Sequence, residues 1–249
     1  MTDKVFTELY KALFSRKDPY DIELGLKSRI LIASSATACN DYKNSKFRLM
    51  YVGRDLNGWG KLIGNDIEEL ASNVLNDEGS QEFLHNAVYD PRHYEDYNIN
   101  QSRFWQLCRE IMSRAGEEEN WAKRIVWSNV YKVTYDGMGV SWPLMDETFS
   151  DCLEILKHEI EVFEPNHIVF VTGADYFLPK NFGDSFSGDS TVPYYPPSRV
   201  FDVISKGVYT DKNNRKIKMI AVNRPEIRIG TISEKADKIM EAFNSLTLD

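Results

Sequence analysis

Apolar positions along this chain follow two periods, one helical and one of short buried runs. Val5, Phe6, Leu9, Tyr10, Leu13 and Phe14 recur at helical spacing, so the segment from Lys4 to Phe14 predicts an opening amphipathic helix. Four short apolar runs then each deliver a polar or glycine-containing turn. They are FRLMYV before GRDLNGWG, RIVW before SNVYK, HIVFVT before GADYF and IKMIAV before NRPEIR. Each run predicts a strand: Phe47 to Val52, Arg124 to Trp127, His167 to Thr172, and the arm from Arg215 to Val222.

Between the strands the period returns to helical. Ile67, Leu70, Ala71 and Val74 suggest a helix capped by Asn65 or Asp66, and Phe104, Cys108, Ile111, Met112 and Ala115 mark another that ends near Gly116. Phe149, Cys152, Leu153, Leu156, Ile160 and Phe163 form the stripe of a long helix from about Asp146 to Phe163, stopped by Pro165. The last helix opens with a capping-box spacing, Thr231 to Glu234, and presents Ile232, Ala236, Ile239, Met240, Phe243 and Leu246 to a core. Residues 76–100 lack a period and read as a surface excursion, and the Glu117 to Glu119 run as a solvated linker. Pro179 to Ser198 is rich in Gly, Pro, Ser and Tyr and reads as an irregular loop. Val200 to Tyr209 pairs across DKNN with the fourth strand as a hairpin.

Strands alternating with helices imply an α/β fold, a three-layer α/β/α sandwich around a mainly parallel four-stranded central sheet. In such a sheet the ligand site lies beyond the carboxyl ends of the strands, which would bring Asp55, Asn129 and Arg224 to one crevice.

Composition narrows the function classes. Of 249 residues, 42% are hydrophobic and 27% charged, and no apolar run is long enough to span a bilayer, so no membrane association is expected. MTDKVFTELYKALFSRKD has no signal-peptide pattern, and a cytoplasmic protein is expected. Cys39, Cys108 and Cys152 are too few and too widely spaced for a disulfide framework, a zinc site or an iron–sulfur cluster. Cys108 and Cys152 read as buried thiols. His85, His93, His158 and His167 form no metal pattern, and neither metal nor organic cofactor is expected. The net charge of −8 opposes nonspecific attraction to nucleic acid. A local basic cluster of Lys206, Lys212, Arg215, Lys216, Lys218, Arg224 and Arg228 is either a phosphate-binding strip or a solvated hairpin face.

The candidate chemistry sits in the turns. Three glycines in GRDLNGWG allow the backbone to approach a ligand closely, although neither a dinucleotide fingerprint nor a phosphate loop is present. Asp55 stands where a carboxylate can orient water or stabilise a developing cation, or simply cap its turn. Trp59 or Tyr51 can stack on a base, or simply pack. Asn129 offers one acceptor and two donors, the pattern that reads the edge of a base such as uracil; an isolated asparagine more often closes a turn.

The glycine-acid turn after strand one, SNVYK after strand two, the pattern CLEILKHEIEVFEPNHIVFVTG and the proline-containing turn after the last strand together resemble the uracil-DNA glycosylase superfamily. Its motifs are of the type Gly-Gln-Asp-Pro or Gly-Glu-Ala-Pro-Gly, Thr-Asn-Val-Val-Lys and His-Pro-Ser. The resemblance covers roughly residues 47–245. It implies one glycosylase-like domain over 1–249 with an N-terminal helical segment, 1–46. By position, Asp55 matches the water-orienting carboxylate and Asn129 the base-recognising amide. Arg224 stands where a histidine usually precedes Pro225, and Leu56 replaces the first-motif proline. The resemblance further implies substrate contacts from Gly53, Arg54, Asn57, Trp59, Asn129, Pro225 and Arg228, with Asp55 and Arg224 catalytic. The partner it implies is DNA, uracil-containing or single-stranded, and the reaction is hydrolysis of the N-glycosidic bond of a flipped base. Arginine at 224 can donate to a leaving uracil, contact phosphate, or pair with Asp55 and silence the site. Two alternatives stay open: a noncatalytic nucleic-acid- or nucleotide-binding protein that keeps this fold, and an unrelated α/β enzyme acting on a free nucleoside or nucleotide.

Overall fold

A computed structural model describes residues 4–16, 31–33, 36–38, 40–56, 61–62, 99–135, 139–173, 176–189, 201–226 and 230–248. In chain order the elements are helix α1 (Lys4–Phe14), strands β1 (Leu31–Ala33), β2 (Thr37–Ala38), β3 (Leu49–Gly53) and β4 (Lys61–Leu62), helix α2 (Arg103–Arg114), strands β5 (Ile125–Asn129) and β6 (Val133–Tyr135), helix α3 (Trp142–Phe163), strands β7 (His167–Phe170), β8 (Phe186–Asp189), β9 (Val203–Thr210) and β10 (Lys216–Val222), and helix α4 (Ile232–Asn244). The fold class is α/β. The chain divides into two compact units, one formed by Met1–Thr37, Gly53–Ser80 and Ser128–Phe163, the other by Ala38–Val52, Gln81–Trp127 and Glu164–Asp249.

A seven-stranded mixed sheet runs in the order β2-β5-β3-β7-β10-β9-β8. The four runs read from the sequence are the consecutive strands β5-β3-β7-β10. β7 is parallel to both β3 and β10, with His167 opposite Leu49 on one side and Lys218 on the other. The sheet exceeds the expected four strands because it continues antiparallel at one end. There β9 pairs with β10, Tyr209 opposite Ile217, and β8 pairs with β9. The hairpin closes on Asp211, whose Oδ1 accepts from the backbone N–H groups of Asn213 at 2.9 Å and Arg215 at 2.8 Å.

Residues 179–189 of the expected loop carry regular structure. Pro179–Ser185 is a 3₁₀ segment with Phe182 buried, and Phe186–Asp189 is β8. Its FSGD sequence has no alternation to betray a strand. Pairing depends instead on two facing glycines, because a β-carbon on Gly188 would collide with the Lys206 carbonyl.

In this second unit α2 and α4 pack together through Arg114, whose Nε meets Asp237 Oδ1 at 2.5 Å while its terminal nitrogen donates to Ser233 Oγ at 2.7 Å. The capping box of α4 forms as its spacing predicts: Glu234 N donates to Thr231 Oγ1 at 3.1 Å, and Thr231 N to Glu234 Oε2 at 2.7 Å. Glu117 is not a solvated linker residue. It is 8% exposed, ion-paired with Arg124, and accepts from Ser45 Oγ and Lys46 N, each at 3.0 Å. Burial pushes its carboxyl up, but those donors outweigh burial and hold it below its usual range.

The first unit holds a small antiparallel sheet, β4-β1-β6, in which Ile32 lies opposite Leu62 and Thr134. Helix α1 buries Phe6, Tyr10, Leu13 and Phe14 and packs on α3, with Arg16 Nε 2.6 Å from Asp151 Oδ2. Among its described residues, the segment 1–46 contributes α1, two short strands and a 3₁₀ turn at Asn40–Asn44. Helix α3 begins at Trp142, one turn before the expected Asp146, because Pro143 suits the first turn of a helix and Leu144 and Met145 already extend the buried face. No helix among the described residues is long and apolar enough to cross a membrane.

Candidate functional site

The ends of β3 and β5 are joined by backbone. Val130 N donates to Gly53 O and Tyr131 N to Arg54 O, both at 3.0 Å, and residue numbers rise together along both chains, as in a parallel pair. The turn that carries Asp55 and the turn that carries Asn129 are thereby neighbours within the first unit.

Asp55 is already engaged. Its Oδ2 accepts from Arg54 Nε at 2.9 Å and from Val140 N at 3.0 Å, and its side chain is only 5% exposed. The Gly139–Val140 segment lies directly on this pair: a β-carbon on Gly139 would come within 3.2 Å of Asp55 Oδ2 and 3.3 Å of the Arg54 guanidinium. Both hydrogen bonds fall on the same oxygen, Oδ2, which fixes the orientation of the carboxylate.

Asn129 is the opposite. It is 6% exposed as a residue, no hydrogen bond to its side-chain amide is found among the described residues, and its polar atoms are not sealed from solvent. The backbone behind it is fully tied: after Val130 and Tyr131, the third N–H, that of Lys132, donates to Cys152 Sγ at 3.4 Å. The amide's two donors and one acceptor thus sit on a fixed backbone with no described protein partner.

Beneath this turn lies a cluster that the sequence reading did not assign. Lys132 Nζ meets Glu159 Oε2 at 2.6 Å and Ser128 Oγ at 2.7 Å; Ser128 Oγ meets the same Glu159 oxygen at 2.7 Å, and Ala36 N donates to Glu159 Oε1 at 2.8 Å. Lys132 and Glu159 are 1% and 0% exposed. The readable signal was Glu159 itself, a carboxylate on the buried stripe of α3 with Cys152, Ile155 and Leu156.

Arg224 leaves β10 in the second unit, half exposed, with its Nε 3.3 Å from Glu226 Oε2. Pro225 is buried, and its carbonyl accepts from Lys235 Nζ at 2.8 Å. Tyr51 is not free to form an aromatic wall. It is fully buried, its hydroxyl donates to Phe104 O at 2.8 Å, and its ring packs 4.6 Å from Phe104. Asn57, Trp59 and Arg228 lie outside the described residues, as do Cys39, His85, His93, the helix expected around Ile67 to Val74, and 190–198 of the expected loop.

The basic cluster is largely consumed by internal partners. Arg215 bridges Asp211 and Glu164, Lys218 Nζ donates to Phe243 O at 2.9 Å, and Lys206 Nζ donates to Ser245 Oγ at 3.0 Å. This favours a structural hairpin face over a phosphate strip. His158 packs edge-on against Phe6 at 4.4 Å, and His167 stacks on Phe47 at 4.0 Å. Among the described residues, no group of His, Cys, Asp and Glu side chains could hold a metal ion. No family model matches this chain, and no curated protein matches it.

Proposed function

We propose that the chain is a divergent uracil-DNA glycosylase-like protein that binds a flipped base of DNA at the paired strand ends of Asn129 and Asp55, with weak or absent hydrolysis of the N-glycosidic bond. The three-layer sandwich, the DNA partner and a cytoplasmic setting belong to this proposal. The observation that carries it is the Asn129 amide, buried and without a described partner at the carboxyl end of β5. An amide of that kind complements the adjacent carbonyl and N–H of uracil, and one hydrogen bond to a ligand edge is worth about 1 kcal/mol net. The order of the four sequence motifs supports the superfamily.

The engaged state of Asp55 supports the noncatalytic side of the reading. Its carboxylate serves Arg54 and Val140 N, and Arg224 stands where the family carries a histidine. An excision assay on uracil-containing single- and double-stranded oligonucleotides, with hypoxanthine and mismatched substrates alongside, tests this. Binding without turnover is expected; robust uracil excision by the wild-type chain would overturn the noncatalytic part.

A further inference from the structure

The buried Lys132–Glu159 pair brackets Asn129 in a way that its depth alone does not require. Ser128 and Lys132, the two residues that meet Glu159 Oε2, flank the Asn129–Val130–Tyr131 turn on either side. Glu159 in turn is fixed by α3 and by Ala36 N. Successive side chains of a strand point to opposite faces, so Ser128 turned toward Glu159 sends Asn129 the other way. From that second side the turn is held by its backbone bonds to Gly53 and Arg54. The turn is therefore clamped at both margins, while among the described residues no hydrogen bond is found to the amide between them.

Two charges taken wholly out of water are a poor source of stability, since apolar residues of similar volume commonly do as well. Such a pair is explained better by the geometry it enforces. We propose that Lys132 and Glu159, with Ser128, are positioning residues that hold the Asn129 amide in the orientation that reads a base. This deepens the base-binding reading of the site and rests on it.

The test uses the full chain as wild type, as the double variant Lys132→Met with Glu159→Leu, and as Ser128→Ala. Two readouts are taken: nuclear magnetic resonance of the Asn129 side-chain amide, assigned by its loss in Asn129→Ala, and titration with free uracil. The double variant removes both charges together and leaves neither one stranded. Expected are a folded double variant, an Asn129 amide whose signals become motionally averaged, and uracil affinity lowered about tenfold, the worth of one hydrogen bond. Ser128→Ala removes the two hydrogen bonds of Ser128 Oγ to Glu159 and Lys132 but keeps the ion pair, and shifts both readouts in the same direction by less. A purely structural pair would move only the melting temperature.

The proposal is overturned if the folded double variant keeps wild-type Asn129 signals and affinity. Should the double variant not fold, unchanged signals and affinity in Ser128→Ala overturn it equally. If wild type does not bind uracil at all, the base-reading role fails, and the Asn129 signals alone decide the positioning role.

Discussion

Lys132 Nζ and Glu159 Oε2 lie 2.6 Å apart with both side chains closed off from solvent, one at the end of the turn after β5 and the other on α3. Removing either partner alone strands a buried charge. Glu159→Gln is expected to lower the unfolding free energy by about 3–5 kcal/mol, read by urea denaturation. A loss below about 1 kcal/mol would mean that water or another group compensates Lys132.

His167 gives the fold a pH limit. Burial first, then Lys218 and Arg48, push its imidazole down from 6.5 to about 4, while Asn166, Phe47 and Phe243 pack around it. The unfolded chain binds that proton more readily than the folded one. The stabilisation is therefore complete above pH 6.5 and is lost as pH falls from there through about 4, by up to roughly 3 kcal/mol. His167→Phe should flatten the stability profile between pH 6.5 and 5, above the range where carboxylates such as Glu117 begin to protonate. Parallel profiles for the two proteins would contradict this.

Cys108 and Cys152 are fully buried, and burial raises both thiols, that of Cys152 to about 11. Both are expected to resist a thiol reagent in the native state and to react on unfolding, as mapped by mass spectrometry. Native labelling of either residue would place it in a segment that opens locally.

Arg224 is half exposed and paired with Glu226 at the surface. Arg224→Ala should leave stability within about 0.5 kcal/mol of wild type. If the guanidinium also contacts DNA phosphate, the substitution weakens oligonucleotide binding at low salt and flattens its salt dependence by about one ion. An unchanged salt slope removes phosphate from its role.

How much of this was legible depends on length and period. The four central strands could be read because each is a dense apolar run ended by a turn, and the capping box of α4 because its two residues carry the signal locally. β1, β2, β4 and β6 span only two or three residues, too few for a period to show, and β8 hides in a glycine-containing stretch whose pairing is decided by Gly207 far along the chain. The Asn129 turn was readable from SNVYK, but its lysine acquires meaning only through Glu159, twenty-seven residues later on α3. Asp55 was legible as a position and not as a state. Its occupation by Val140 N depends on a segment 85 residues away.

The central claim is that Asn129 reads a base, and the most direct measurement is a fluorescence-anisotropy titration of wild type and Asn129→Ala with single-stranded oligonucleotides that differ only in uracil or thymine, at one fixed salt concentration. The account predicts that wild type prefers uracil and that Asn129→Ala loses about 1–3 kcal/mol of that binding, while its melting temperature stays close to that of wild type. Equal affinity of the two proteins for the uracil oligonucleotide would contradict it and reduce Asn129 to a turn residue.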